Sequence, residues 1–187
     1  MDERKWIERI LAGDTQSFSC LVAKYEKMAY TIALHILENR EEAEEAVQDA
    51  FVKMYRALSD FHFDSKFSTW FYRIVYRTAL TALRQQRMFV SYEEAGRVDL
   101  SNDEVESATA LLEREDRKEM IARTLKKLPA DEALLLTLYY LEECSVEEIC
   151  QITELSASNV KVKLFRGRKR FYEVLQDKMK LETADLL

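Results

Sequence analysis

Residues 64–86 read DSKFSTWFYRIVYRTALTALRQQ. No acidic residue occurs from Ser65 to Tyr92, yet Lys66, Arg73, Arg77, Arg84 and Arg87 all fall there, in a chain of 187 residues with a formal net charge of -6. On an α-helix starting near Ser68, at about 100° per residue, Trp70, Arg73, Arg77, Thr81 and Arg84 share one narrow stripe, and Phe71, Ile74, Val75 and Ala82 form the apolar face beside it. One face is free to pack while the other meets an anion. The preceding residues contribute Phe61, Phe63 and Phe67. Cations for phosphates therefore stand next to aromatic faces for unstacked bases, the ingredients of a single-stranded nucleic-acid site. A core tryptophan beside a solvated basic face would use the same residue types.

The rest of the composition fits a helical setting for that stretch. With three Gly and one Pro there is little turn chemistry for a many-stranded sheet. Apolar residues recur at three-and-four spacing along most of the chain, which predicts an all-α protein. No run reaches the roughly 18 uncharged apolar residues of a membrane span. The N-terminus MDERKWIERI is too charged for a signal peptide, so the expectation is a soluble cytoplasmic protein without membrane insertion. Cys20, Cys144 and Cys150 are an odd number with no CxxC spacing, which predicts reduced core thiols and no metal site.

Outward from the basic stretch, the periodicity predicts a short helix around Trp6, Ile7, Ile10 and Leu11 that ends at Ala12-Gly13, where Gly takes a left-handed cap. A second helix runs from Asp14 or Thr15 to about Glu38. Asn39 with Glu42 is a capping-box pair opening a third, whose Glu41, Glu42, Glu44 and Glu45 suit the positive end of its dipole. Val47, Phe51, Met54 and Leu58 form its inner stripe. Gln48, Asp49, Val52, Tyr55 and Arg56 share the outward face, with Val and Tyr among polar groups.

Residues 91–112 hold six acids against one Arg, with Gly96 and a Ser-Asn-Asp cluster, and read as a linker of net charge -5 at a domain boundary. It lies between two cationic stretches, and this predicts that it folds back on one of them and closes the free protein up. Helical periodicity resumes near Ser107 and is stopped by Pro129. A helix over 130–142 has Leu134, Leu135, Leu138 and Leu141 as its core face. Ser145 with Glu148 is a second capping box, and Ser156 caps the last helix, whose residues 161–170 read KVKLFRGRKR, with six cations and no acid.

A short helix, a turn and a longer basic helix are the pattern of a helix-turn-helix, whose second helix enters a major groove. Val160, Leu164, Gly167, Phe171 and Val174 share the inner face of that helix. Ser158, Asn159, Lys161, Val162, Lys163, Phe165, Arg166 and Lys169 are left as candidate DNA-facing residues. Apolar Val162 and Phe165 among cations suit thymine methyls, and Lys or Arg suit guanine edges and phosphates. Glu154 stands where the turn most easily takes a left-handed glycine, which predicts a somewhat different turn here.

The strings EEAVQDAFVKMYRAL (44–58), SKFSTWFYRIVYR (65–77) and EEICQITELSASNVKVKLFRGRKR (147–170) resemble those of a bacterial RNA polymerase sigma factor of the extracytoplasmic-function (ECF) type. The resemblance covers 13–88 and 125–172. It implies a region 2-like helical domain over 1–90, an acidic linker over 91–112 and a region 4-like helix-turn-helix domain over 113–187, the minimal two-domain form without an acidic extension before Met1 or a large insert. It further implies that Val47, Gln48, Asp49, Val52 and Arg56 dock on core RNA polymerase. Phe67, Thr69, Trp70, Tyr72 and Arg73 would melt and read the minus-ten element, in a site to which Phe61, Phe63, Lys66, Arg77 and Arg84 also belong. Lys161, Val162, Phe165 and Arg166 would read the minus-thirty-five element. Core RNA polymerase and promoter DNA are the implied partners, with a membrane-bound or soluble anti-sigma factor as a further one and no cofactor.

The sequence departs from that family's pattern at Arg77, usually Asn, at Thr81, often Asp, at Glu154, usually Gly, and at Val162, commonly Ser or Thr. No Gly-rich phosphate loop occurs. His35 reads as a helix packing residue and His62 as a loop residue, so no catalytic site is expected. Another function compatible with the same residues is an autonomous helix-turn-helix repressor with a helical ligand-binding or dimerisation domain.

Overall fold

The computed structural model describes residues 3–90 and 112–184, with side chains over 3–86 and 119–177. Most of the acidic 91–112 segment lies outside the described residues. The described residues fold into eight α-helices and one short 3-10 turn, without a strand: α1 (Glu3–Leu11), α2 (Thr15–Leu37), α3 (Arg40–Ala57), the turn at Leu58–Asp60, α4 (Phe67–Val90), α5 (Leu112–Leu125), α6 (Ala130–Tyr140), α7 (Val146–Thr153) and α8 (Ala157–Ala184). None of the described helices is long and apolar enough to cross a membrane.

The helix ends follow local chemistry. Gly13 takes φ +96° after α1, and the Asp14 carboxylate caps α2 by accepting from the amides of Gln16 and Ser17. Asn39 caps α3 through a 3.1 Å bond from the Glu42 amide. The expected reciprocal half of a capping box does not form there, because Glu42 Oε1 accepts from Gln86 of α4 at 2.8 Å. Tertiary packing has taken the cap's second partner. At α7 both halves form: Glu148 N donates to Ser145 Oγ at 3.1 Å, and Ser145 N donates to a Glu148 carboxylate oxygen at 2.8 Å.

Helices α2, α3 and α4 pack on one another, and α1 packs on α2. Phe71 of α4 is fully buried between Phe51 of α3, 4.8 Å away by ring centroid, and Tyr25 of α2, 5.9 Å away. Burial of such a ring is worth about 1.5–3 kcal/mol. In the second unit α6, α7 and α8 pack together, with Val160 and Leu164 of α8 buried.

Helix α6 has no solvated stripe from Glu132 to Leu138, where every residue is buried. A helix that is apolar all round must be covered on all sides, and α6 is, by α8 from its own unit and by α2 from the first. A second seam joins α4 to α7. Two expectations are corrected here. Leu141 is 56% exposed rather than core: it caps α6 with its amide still bonded to Thr137 O, but the end of the helix, with exposed Tyr139 and Tyr140, runs past its packed part. Cys20 is exposed on α2, while Cys144 is buried and Cys150 half-buried. The spacing that excluded disulfides did not fix which face of α2 the thiol would take.

Candidate nucleic-acid interface

The aromatic residues ahead of α4 form one cluster. The ring of Phe61 lies 4.8 Å from Phe63, 5.5 Å from Phe67 and 5.1 Å from Trp70, and Trp70 lies 5.6 Å from Phe67. Phe61 and Phe67 are buried, Trp70 is half-buried and Phe63 is exposed, with a left-handed backbone at φ 61°. A cleft of about 390 Å³ opens beside the cluster, between α1, α2 and the loop. Arg4 of α1 stands over the Phe63 ring at 5.0 Å, and Lys24 and Glu3 on the same wall form an ion pair. The contribution of α1 to this cleft had no signal in the sequence beyond an amphipathic helix. Burial, with the hydrogen bond to Glu3, pushes the Tyr25 hydroxyl well above its ordinary range.

Along α4 the basic stripe is placed as expected: Arg73, Arg77, Thr81 and Arg84 are exposed, and Phe71 and Val75 are buried beneath. Part of this stripe is covered by the second unit. Tyr72 Oη donates to Glu142 Oε2 at 2.6 Å. Lys66 Nζ sits 3.0 Å from Glu148 Oε1, to which Thr69 Oγ1 also donates at 3.5 Å. Arg77 Nε donates to Glu154 Oε1 at 2.8 Å, and Arg73 lies 3.7 Å from the same oxygen. Thr69 and Tyr72 are each left 2% exposed.

The titration behaviour of these groups follows from the contacts. Burial and the Glu142 bond push the Tyr72 hydroxyl far up. Burial also raises Glu148, but the Ser145 amide and the Lys66 ammonium outweigh it and hold the carboxyl below its ordinary value. The bond to Glu148 raises Lys66. Cys144, desolvated beside Glu148 and Glu142, is pushed up to about 11, so its thiol stays protonated near neutral pH.

Glu154 closes α7 in the left-handed region, φ 63° and ψ 15°. The turn is therefore the left-handed one, kept by a glutamate, and the expected different turn is not found. On α8, Ser156 caps the helix by accepting from the Asn159 amide. Ser158, Asn159, Lys161, Val162, Phe165, Arg166 and Lys169 are exposed, Phe165 at 65%. Lys163 is turned aside, half-buried and paired with Asp131. On α3, Gln48, Asp49, Val52, Tyr55 and Arg56 are exposed, with Tyr55 edge-on to Phe18 of α2 at 5.1 Å, whereas Val47 is buried.

The Sigma-70 region 2 family matches residues 21–88 and the Sigma-70, region 4 family matches 118–171. The chain is 31% identical over 181 residues to the RNA polymerase sigma-H factor of Pseudomonas aeruginosa, across 93% of this chain and 94% of that one. It belongs to the sigma factors of the ECF type. It is likewise 31% identical over 171 residues to the ECF RNA polymerase sigma-E factor of Escherichia coli K12, across 87% of this chain and 88% of that one. Its fold is shared with CnrH in complex with the cytosolic domain of CnrY, at a TM-score of 0.60 and 21% identity over 94% of this chain and 97% of that one. It is shared also with the sigma factor RpoE in complex with the anti-sigma factor NepR from Bartonella quintana, at 0.69 and 18% over 86% and 98%. In this sigma factor the region 2 match spans α3 and the aromatic cluster, and the region 4 match spans the capped α7 and the first half of α8.

Proposed function

We propose that this ECF sigma factor binds core RNA polymerase and directs initiation at promoters read by two separate elements. Residues 1–90 form the domain that docks on polymerase and melts the minus-ten element, 91–112 the linker, and 113–187 the minus-thirty-five reader. Polymerase docking is assigned to Gln48, Asp49, Val52 and Arg56, with buried Val47 supporting them from beneath. The minus-ten site comprises the Phe61, Phe63, Phe67 and Trp70 cluster with Lys66, Thr69, Tyr72, Arg73, Arg77 and Arg84. Lys161, Val162, Phe165, Arg166 and Lys169 read the upstream element, flanked by Ser158 and Asn159, and Lys163 buttresses α8 through Asp131. The observation that carries this reading is the exposed Phe165 and Val162 among cations on the capped second helix of a helix-turn-helix, in a chain whose other domain offers aromatic rings beside a basic stripe.

Two weak DNA readers become strong when polymerase fixes their separation, because linkage raises the effective concentration of the second site. A flipped base stacked in the aromatic cleft offsets the few kcal/mol, roughly, that unstacking costs. On this reading the protein acts by binding, without catalysis of its own, in the cytoplasm where the polymerase is, and an anti-sigma factor is its natural antagonist. Run-off transcription with purified core polymerase and a promoter library tests it. Initiation at a defined sequence is expected; specific duplex binding by the protein alone with no polymerase-dependent start would instead make it an autonomous repressor.

A further inference from the structure

The contacts between α4 and the α7 segment join the two surfaces that a promoter must reach, and the charges on them are opposite throughout. From Lys66 to Arg77 the basic stripe spans about 16 Å at 1.5 Å per residue. Over that length the second domain supplies three carboxylates: Glu142 on Tyr72, Glu148 on Lys66 and Thr69, and Glu154 on Arg77 and Arg73. They come from three different places, the turn before α7, its first turn and its C-cap. We propose that region 4 is an intrachain occupant of the minus-ten site, its carboxylates standing where nucleic-acid phosphates would lie, so that the free sigma factor is closed and cannot capture a single strand until the domains separate. This rests on the assignment of α4 as the minus-ten helix.

Glu38 and Glu143 take the same left-handed conformation as Glu154, so what marks Glu154 for the seam is where its carboxylate goes. A non-glycine residue in the left-handed conformation is disfavoured, and nothing in the turn itself needs a carboxylate. Its side chain reaches out of the helix-turn-helix to two arginines of the other domain. Arg77 and Glu154 are also two of the positions at which the sequence departs from the family pattern, and the structure makes them partners. The seam is built of described residues alone and needs no part of the 91–112 segment. Closure has an apolar component as well, since α6 is covered by α2, so the carboxylates select the docking register on an interface that already excludes water.

The test uses the full chain in two independent measurements. In the first, fluorescence anisotropy follows a fluorescein-labelled 20-nucleotide single strand of mixed sequence binding to the free protein in 50 mM salt. Glu148→Gln with Glu154→Gln, which keeps the size of both side chains and the α7 cap, is expected to bind about tenfold more tightly than wild type. Glu26→Gln with Glu45→Gln, the same change in net charge at exposed residues of α2 and α3 away from the α4–α7 seam, is expected to bind less than twofold more tightly. Equal gains for both pairs, or no gain for either, overturn the proposal. In the second, small-angle scattering reads the radius of gyration without DNA. Arg77→Glu and Glu154→Arg are each expected to expand the chain, and the charge-swapped double variant to return it to the wild-type size; expansion that the swap does not reverse also overturns the proposal. The scattering arm does not depend on what α4 binds. A reversible swap with no single-strand binding by any variant would therefore overturn the occupant role and the minus-ten assignment while leaving the seam itself in place.

Discussion

Arg170 donates to Oε1 of Glu132 across 2.7 Å, and the other carboxylate oxygen of Glu132 is buried without a hydrogen bond. The pair stands where α6 and α8 come closest: a Cβ on Gly167 would lie 3.3 Å from Glu132 Cβ and 3.2 Å from Leu136 Cδ1. One of the six cations of the 161–170 run thus neutralises a core carboxylate and is unavailable to phosphates. Arg170→Met leaves that carboxylate buried and unpaired, and is expected to cost about 3 kcal/mol or more of stability in urea unfolding. Adding Glu132→Leu is expected to restore most of it, since removing both charges also removes the desolvation penalty. A loss below about 0.5 kcal/mol, the size of an ordinary surface change, would mean that the pair is no more than a surface contact.

The proposed upstream reading predicts a division of labour between Phe165 and Lys169. Phe165 is exposed and apolar on a cationic face, whereas Lys169 is exposed and only loosely paired with Glu173 at 3.9 Å. Phe165→Ala is expected to alter base preference in the minus-thirty-five element, with about 1–3 kcal/mol of discrimination lost at the base it touches. Lys169→Ala is expected to weaken all sequences alike and lower the salt slope by about 1. Holoenzyme binding to a duplex library at two salt concentrations measures both, and parallel losses for the two variants would refute the division.

Trp70 is partly exposed, and Phe61 and Phe67 pack against its ring. On the proposed reading such a ring would serve as a stacking platform worth about 1–3 kcal/mol per base. Trp70→Ala should slow strand opening, reported by a fluorescent base in the minus-ten element, by tenfold or more, and leave closed-complex affinity within twofold. Equal loss in both steps would place Trp70 in the core only.

His35 lies in the last turn of α2, where the helix dipole favours a protonated imidazole. Burial outweighs it and holds the pKa below the ordinary value. The neutral form is therefore the one the fold prefers. The stabilising contribution is complete above about pH 6.5, the unfolded value, and is lost as pH falls below it through the folded pKa. His35→Gln should flatten the dependence of urea stability between pH 7 and 5; an unchanged slope would assign that dependence to other groups.

Most helix boundaries were legible because their caps are local: Asp14, Asn39, Ser145 and Ser156 all cap where the sequence places them. The outward faces of α3, α4 and α8 followed from a 3.6-residue period. What the sequence could not supply was partnership between distant residues. Glu42 reads as half of a capping box until Gln86 is known to lie beside it. Glu154 reads as an awkward turn residue, and only the arginines of α4 explain its charge. The expected fold-back of the acidic linker lies outside the described residues. Among the described residues the acids of the second unit that meet α4 are Glu142, Glu148 and Glu154, spread over thirteen positions and gathered there by the turn before α7 and by α7 itself.

Polymerase docking is the assignment least dependent on the closed arrangement, because its residues lie on α3, away from the α4–α7 seam. Gln48, Asp49, Val52 and Arg56 are exposed on one face of a helix whose opposite side, Phe51 and Met54, is buried. Val52 is 49% exposed with no apolar duty inside the domain, so replacing it removes nothing from the core. Gln48→Ala with Val52→Asp places a charge where an apolar contact is expected and deletes an amide one turn before it. Urea stability should change by no more than about 0.5 kcal/mol, the ordinary range for surface substitutions. Affinity for core polymerase should fall at least tenfold, equivalent to about 1.4 kcal/mol. Buried Val47 is the contrasting position: Val47→Ala should lower stability by about 1 kcal/mol or more through lost packing and affect docking only in proportion. Unchanged co-purification of the double variant with core enzyme would remove α3 as the docking helix, whatever the two DNA-reading faces do.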